Sequence, residues 1–209
     1  MMKRYQIKEN RENKKMLHNE NYSKVTAAID ELLTQKKDII VVIDGNCGAG
    51  KTTLGNFLAE YYNASLFHMD DFFLQKYQRI KKRYQSPGGN VDYERFYDTV
   101  IKPLLHQQEV RYQRFNCQTM ELEKKISLKP YHAVNIIEGT YSMHPYFHHY
   151  YDLSIVMKID DVEQQKRILE RNGQKQFEMF KNKWIPLEQK YFLAFDIFYR
   201  ADLLLGEEK

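Results

Sequence analysis

Hydrophobic positions change their period several times along the chain, and each change marks an element. Over residues 22–36 the apolar positions Val25, Ala28, Ile29, Leu32 and Leu33 recur every three or four residues, which predicts one face of an amphipathic helix. Ile39-Ile40-Val41-Val42-Ile43 then runs without alternation. Both faces of such a segment must be covered, as in a central parallel strand. The run stops at Asp44-Gly45, and Leu54, Phe57, Leu58 and Tyr61 restore the helical interval over 51–62. Strand, glycine-rich loop and helix therefore follow in the order of a βαβ unit. Shorter apolar segments at 65–68, 133–137, 153–159 and 201–205 alternate with helical stretches predicted at about 92–107, 160–171 and 186–199. Asp92 and Asp160 supply N-caps for the first two helices, and Pro186 lies in the first turn of the third. The pattern predicts an α/β fold with a five-stranded parallel sheet between helical layers. The basic, aromatic stretch 77–89 closes in Ser-Pro-Gly-Gly and is expected to be a mobile excursion over the carboxyl edge of the sheet.

Composition alters this picture little. At 209 residues the chain fits one domain over 21–209, preceded by a polar arm over 1–20. The formal charge of +4 suits an anionic ligand, but much of the excess lies in the first 16 residues and gives no case for nucleic acid. The longest aliphatic run, 39–43, is too short to span a bilayer, and the N-terminal residues lack an apolar stretch of signal-peptide length, so no membrane association is expected. Of the two cysteines, Cys47 falls inside the glycine-rich loop, where a disulfide would obstruct a ligand; a reducing, cytoplasmic location is expected.

That loop carries the chemistry. Gly45-Asn46-Cys47-Gly48-Ala49-Gly50-Lys51-Thr52 matches G-x-x-x-x-G-K-[ST] at every fixed position. A chance match in a chain of this length is expected on the order of 1% of the time, so the motif weighs heavily. Small residues let successive N–H groups converge on phosphate oxygens at a helix N-terminus. Lys51 would reach the β and γ phosphates, Thr52 would place its hydroxyl on Mg²⁺, and Thr53 extends the contacting set. An Asn-Lys-x-Asp base-recognition motif of GTPases is missing after the loop. Asp70 and Asp71 directly follow the second predicted strand, at the edge where open α/β sheets bind ligands. A carboxylate there can deprotonate an acceptor hydroxyl or hold a metal's water shell; the lesser alternative is that the pair caps a following helix.

The loop, His-Met-Asp-Asp-Phe-Phe (68–73), Asn-Val-Asp-Tyr-Glu-Arg-Phe (90–96) and Ile-Ile-Glu-Gly (136–139) together resemble the uridine kinase and phosphoribulokinase superfamily, to which nicotinamide riboside kinases also belong. The resemblance spans about residues 38–206. It implies a nucleoside-kinase-like P-loop NTPase fold of three α/β/α layers, a lid region at about 160–185, and ATP and Mg²⁺ as cofactors. It also implies that Asp70 is the catalytic aspartate, near the metal, that Glu138 is the acidic residue beside Mg²⁺, and that Asp92 binds acceptor hydroxyls. Arg167 and Arg171 match the lid arginines; one helical turn apart, they can clamp phosphoryl oxygens, or else pair with Glu163 and Glu170 on a solvated face.

Gly173 follows as a helix stop and hinge. Asp71, Phe73, Tyr112 and Tyr141 are further candidate acceptor contacts. The chain departs from uridine-cytidine kinases where it has Phe72-Phe73 in place of Phe-Tyr and Tyr112-Gln113-Arg114-Phe115 without the aspartate and histidine that read a pyrimidine. Trp184 could close the pocket or simply pack, packing being the favoured role, and His144, His148 and His149 are expected as surface or core histidines. Two functions stay open: a kinase acting on a small hydroxylated metabolite such as a nucleoside, with a homo-oligomer compatible, or a nucleotide-binding regulatory module.

Overall fold

A computed structural model describes residues 19–206; the arm expected at 1–20 lies outside these apart from its last two residues. Helix α1 (Glu20–Gln35) is capped by Asn19, whose side chain accepts from the N–H of Asn21. Strand β1 (Ile39–Gly45) is buried along its whole length, and the reason for its unbroken apolar run is visible in its neighbours. Ile39, Val41 and Ile43 pack with Val25 and Ile29 of α1 and with Leu54, Phe57 and Leu58 of α2 (Lys51–Tyr62). Ile40 and Val42 face the opposite layer, with Phe67, Phe72, Phe96, Phe147 and Tyr191. The central strand is thus covered on both sides.

Four more strands complete a five-stranded parallel sheet in the order β2-β5-β1-β6-β7. They are β2 (Ser65–His68), β5 (Val134–Glu138), β6 (Leu153–Met157) and β7 (Leu203–Leu205), as the sequence predicts. The register places Glu138 level with both Ile43 and His68, so its carboxylate emerges at the sheet edge beside the loop that begins at Gly45. An antiparallel hairpin, β3 (Val110–Asn116) and β4 (Glu121–Lys129), stands apart from this sheet and has no sequence forecast. Its alternation is broken by a register shift between Gln113 and Phe115, and β4 is largely solvent-facing, which removes the hydrophobic period that reveals a strand.

Helical boundaries differ from expectation in informative ways. The stretch at 77–89 contains a short helix, α3 (Lys81–Gln85), and is tied down rather than free. Arg83 donates to the carbonyls of Gly89 and Val91, pairs with Glu94, and lies 3.9 Å from the centroid of the Tyr93 ring. The helix expected at 92–107 begins at Asp92, whose side chain caps it, and runs as α4 (Tyr93–Phe96), a π-helical turn (Tyr97–Ile101) and α5 (Lys102–Leu105).

Gly173 ends the first of two helical stretches that make up α6 (Asp161–Met179), as the sequence predicts: its φ of +75° and ψ of 167° are non-helical, and a second stretch follows beyond the kink with Phe177 packed inward. A second π turn (Phe180–Trp184) leads into α7 (Ile185–Phe195), which stops at the left-handed Asp196 before α8 (Ile197–Arg200). Among the described residues no helix is long and apolar enough to cross a membrane.

Candidate active site

The phosphate loop joins β1 to α2 at the carboxyl edge of the sheet. Its turn needs glycine: Gly45 has φ +126°, and a Cβ there would lie 2.0 Å from the carbonyl oxygen of Met157. Lys51 folds back over its own loop, donating to the carbonyls of Gly45 (2.9 Å) and Asn46 (2.8 Å) and to the Thr140 hydroxyl (3.1 Å). These are weak neutral acceptors beside an ammonium, so phosphate oxygens can displace them with a gain in charge pairing. Below the loop, the fully buried Asp44 accepts from the N–H groups of Gly45 (2.6 Å), Tyr141 (3.2 Å) and Met143 (2.8 Å) and from the Tyr191 hydroxyl (2.7 Å). Burial pushes its carboxyl upward, and those donors hold it back toward the charged form. Asp44 thereby locks the loop to the β5 turn and to α7.

Three acidic or hydroxyl groups meet beside Lys51. Thr52 donates to the Glu138 carboxylate at 3.2 and 3.3 Å, and His68 pairs with the same carboxylate through Nδ1. The Glu138 hydrogen bond raises the His68 pKa, against the opposing effect of burial. Asp70, on a 3₁₀ turn (Met69–Phe72) after β2, presents its carboxylate to the open cleft. Although water reaches it there, protein surrounds it on the remaining sides. That partial desolvation, and next the neighbouring Glu138 charge, raises its pKa, while Lys51 and His68 lower it. Thr52, Asp70 and Glu138 form an all-oxygen donor set in which two carboxylates crowd each other, a chemistry that fits a hard divalent cation such as Mg²⁺. Among the described residues no group of three or more His, Cys, Asp or Glu is arranged to hold a metal ion.

A cavity of about 850 Å³ extends from this cluster. Its phosphate end is bordered by Cys47, Gly48, Gly50, Lys51, Thr52 and Thr53, with Arg167 and Arg171 of α6 above them. Arg167 pairs with Glu163 (2.7 Å) and also reaches the Gly48 carbonyl (3.5 Å), while Arg171 leans on the Cys47 sulfur (3.7 Å). Both arginines therefore face the loop from one side. The far wall is aromatic. Phe73 lies 6.1 Å from Phe115 and 5.7 Å from Trp184 between ring centroids, and Arg79 and Lys183 flank these rings. Of the two roles open to Trp184, packing and closing the pocket, the structure places it on the cavity border, where it closes the second π turn.

Several expected site residues stand elsewhere. Asp71 is buried and engaged by the Tyr112 hydroxyl (2.9 Å) and Arg114 Nε (2.8 Å), so this pair supports the hairpin behind the cavity without bordering it. Asp92 is 1% exposed, and its carboxylate is taken up by Gln75, Gln78 and the N–H of Arg95. Gly45, Asn46 and Ala49 shape the loop from behind. Tyr141 does border the cavity. Among the histidines, His144 is a core residue, stacked on Tyr93 with centroids 4.3 Å apart.

Sequence reasoning missed Glu188. Only 2% exposed, it accepts from the Cys47 N–H (3.0 Å), the Gln164 amide (2.6 Å) and, more distantly, the Asn46 amide (3.5 Å). Burial raises its pKa, opposed by those donors and by Lys51. Its position in the first turn of α7 makes it look like an ordinary dipole-complementing carboxylate.

No established family profile matches the sequence, and no curated protein sequence matches it. Solved structures do match in shape. A possible uridine kinase from Bacillus stearothermophilus is similar over 87% of this chain and 99% of its own, with a TM-score of 0.61 and 18% identity. A candidate fructose transport system kinase from Silicibacter sp. TM1040 is similar over 88% and 98%, with a TM-score of 0.64 and 21% identity. A D-glycerate 3-kinase from Cryptococcus neoformans var. grubii is similar over 81% and 87%, with a TM-score of 0.57 and 14% identity. The likeness is one of fold: the chain has the three-layer architecture of P-loop kinases.

Proposed function

We propose that this chain is an ATP-dependent kinase that transfers the γ-phosphoryl group to a hydroxyl of a small polyhydroxylated metabolite, nucleosides being the first class to test. The observation that carries the reading is the placement of Asp70, whose carboxylate opens into the cavity beside Lys51, Thr52 and Glu138 and shares that cavity with an aromatic wall. An enzyme needs both halves, a phosphate cradle and a pocket for a second molecule.

In this mechanism Asp70, whose carboxylate faces the cavity, serves as the general base. Asp70 takes the proton of the acceptor hydroxyl as that oxygen forms its bond to the γ phosphorus and the bond to the β-phosphate oxygen breaks, releasing ADP. Lys51 moves from the Gly45 and Asn46 carbonyls to the transferred phosphoryl oxygens. Arg167 and Arg171 close from α6, pivoting at Gly173, and spread the developing charge over two guanidiniums. Thr52, Asp70 and Glu138 would hold Mg²⁺, which when bound neutralises triphosphate charge. Asp71, Tyr112 and Asp92 brace the pocket from outside.

The test is ADP release from Mg·ATP by purified full chain with a panel of nucleosides, pantothenate, glycerate and pentose phosphates. Asp70→Asn is expected to abolish acceptor-dependent transfer and leave ATP affinity nearly intact; full activity in that variant refutes the assignment. ADP release that no acceptor changes would favour a nucleotide-binding module instead.

A further inference from the structure

The cavity is divided by charge. The three carboxylates on its border, those of Asp70, Glu138 and Glu188, stand at the phosphate-loop end. The aromatic half, built on Phe73, Phe115 and Trp184, is bordered by two cations and no acid. These cations, Arg79 and Lys183, are separate from the Lys51, Arg167 and Arg171 set that faces the loop.

Arg79 is partly buried at the Phe115 end of the aromatic row, its guanidinium carbon 5.6 Å from the ring centroid. Its Nε donates to the Leu74 carbonyl (3.0 Å) and its Nη2 to the Met120 carbonyl (2.6 Å), which fixes the plane of the group. Among the described residues no carboxylate pairs with it, and its Nη1 edge makes no hydrogen bond. Lys183 stands at the Trp184 end, its ammonium 4.5 Å from that ring and 5.6 Å from the Tyr84 ring, again with no carboxylate partner among the described residues. The rings offset part of this charge, but an anion held in a bidentate or charge-assisted hydrogen bond offsets more. The stretch 76–84, which borders the cavity through Arg79 and Tyr84, adds Lys76, Lys81 and Lys82 and contains no Asp or Glu. Its field draws anions toward this end of the cavity.

We propose that the aromatic half of the cavity is an anion site for the acceptor: the acceptor bears an acidic group, a carboxylate or a phosphate ester, remote from the hydroxyl that is phosphorylated. Arg79 takes that group through its open Nη1 edge, Lys183 adds a second counter-charge, and the aromatic row covers the less polar part of the molecule. This inference rests on the kinase reading above and moves its acceptor away from neutral nucleosides. A neutral acceptor leaves the guanidinium without its partner and binds more weakly.

The experiment measures calorimetric affinities of the full chain, loaded with Mg·AMP-PNP, for acid and neutral pairs of matched shape. These are pantothenate and panthenol, D-glycerate and glycerol, and ribose 5-phosphate and ribose, so the pairs also tell a carboxylate reader from a phosphate reader. At least one acid is expected to bind about 10- to 100-fold more tightly than its neutral partner, the range of a hydrogen bond to a charged group. Arg79→Gln is expected to erase that preference by weakening the acid alone. Lys183→Gln is expected to weaken the acid about three- to tenfold, and in both variants the Mg·AMP-PNP affinity changes less than about twofold.

A merely structural Arg79 would lower the melting temperature on substitution and leave the ratio of acid to neutral affinity intact. Equal affinity within every pair, no binding of any acid, or an acid preference that Arg79→Gln leaves intact overturns the proposal. Lys183 is exposed, so if Arg79→Gln does not fold, Lys183→Gln decides, and an unchanged preference there overturns it. Phosphorylation of uridine with no acid bound overturns the anion site while the kinase reading stands. An acid bound through Arg79 without acceptor-dependent ADP release keeps the site although the kinase reading fails.

Discussion

Lowering the pH from 7 to 5 should weaken this fold through His144. The imidazole is 8% exposed, lies flat against Tyr93 and is enclosed by Tyr191 and Phe195. Burial first, and the Arg83 charge second, lower its pKa to about 4, against about 6.5 in an unfolded chain. The unfolded state therefore binds the proton better. The contribution of His144 to stability is complete above the unfolded value and is lost as pH falls from about 6.5 toward about 4. At pH 5 the unfolded imidazole is charged while the buried one stays neutral, and linkage gives a loss of about 2 kcal/mol relative to pH 7. His68 acts in the opposite sense. Its folded pKa is raised by Glu138, so its contribution is present below the unfolded value and fades as pH rises through the folded one.

Wild-type protein reports the sum of these, and His144→Phe isolates one part, because a planar ring keeps the stack on Tyr93. Urea midpoints at pH 7 and pH 5 for both proteins measure it. The variant loses the Tyr146 N–H contact to Nδ1 at either pH, and that cancels in the difference. Its stability should fall by about 2 kcal/mol less than wild type between the two pH values. Equal losses in the two proteins refute the argument.

Two further substitutions probe the loop. Glu188→Ala strips the buried acceptor from the Cys47 N–H and the Gln164 amide, and is expected to lower unfolding stability by about 2–3 kcal/mol in urea titration; an unchanged midpoint means that Glu188 does not clasp the loop. Gly45→Ala would drive a Cβ to within 2.0 Å of the Met157 carbonyl at a φ of +126°, so the loop must shift. Calorimetric binding of Mg·AMP-PNP should then be lost in a variant whose far-ultraviolet circular dichroism is preserved, and wild-type affinity would count against the proposed cradle.

How much of this was legible in the sequence depends on whether a residue acts through its chain neighbours or across the fold. Strand Ile39–Gly45 announced itself because packed layers cover both its faces, leaving an unbroken apolar run, and the other sheet strands showed as shorter apolar segments. The phosphate loop is a local object, and its glycines and lysine sit at fixed spacing. The β3–β4 hairpin was silent because a bulge and an exposed strand erase its period. Asp92 resembled an acceptor-binding residue, but its carboxylate is consumed by Gln75 and Gln78, a tertiary fact that no spacing encodes. Glu188 is likewise defined by what lies across from it, a loop far back in the chain.

Trp184, Glu188 and Tyr191 follow one another at four and three residues, which puts them along a single face of one helical segment. Trp184 touches the aromatic wall, Glu188 the loop at Cys47, and Tyr191 the carboxylate of Asp44 beneath that loop. One helical segment thus touches both the loop and the aromatic wall. Its consequence is reciprocity: a first ligand that shifts this segment alters the affinity for the second, and the second alters the first by the same factor.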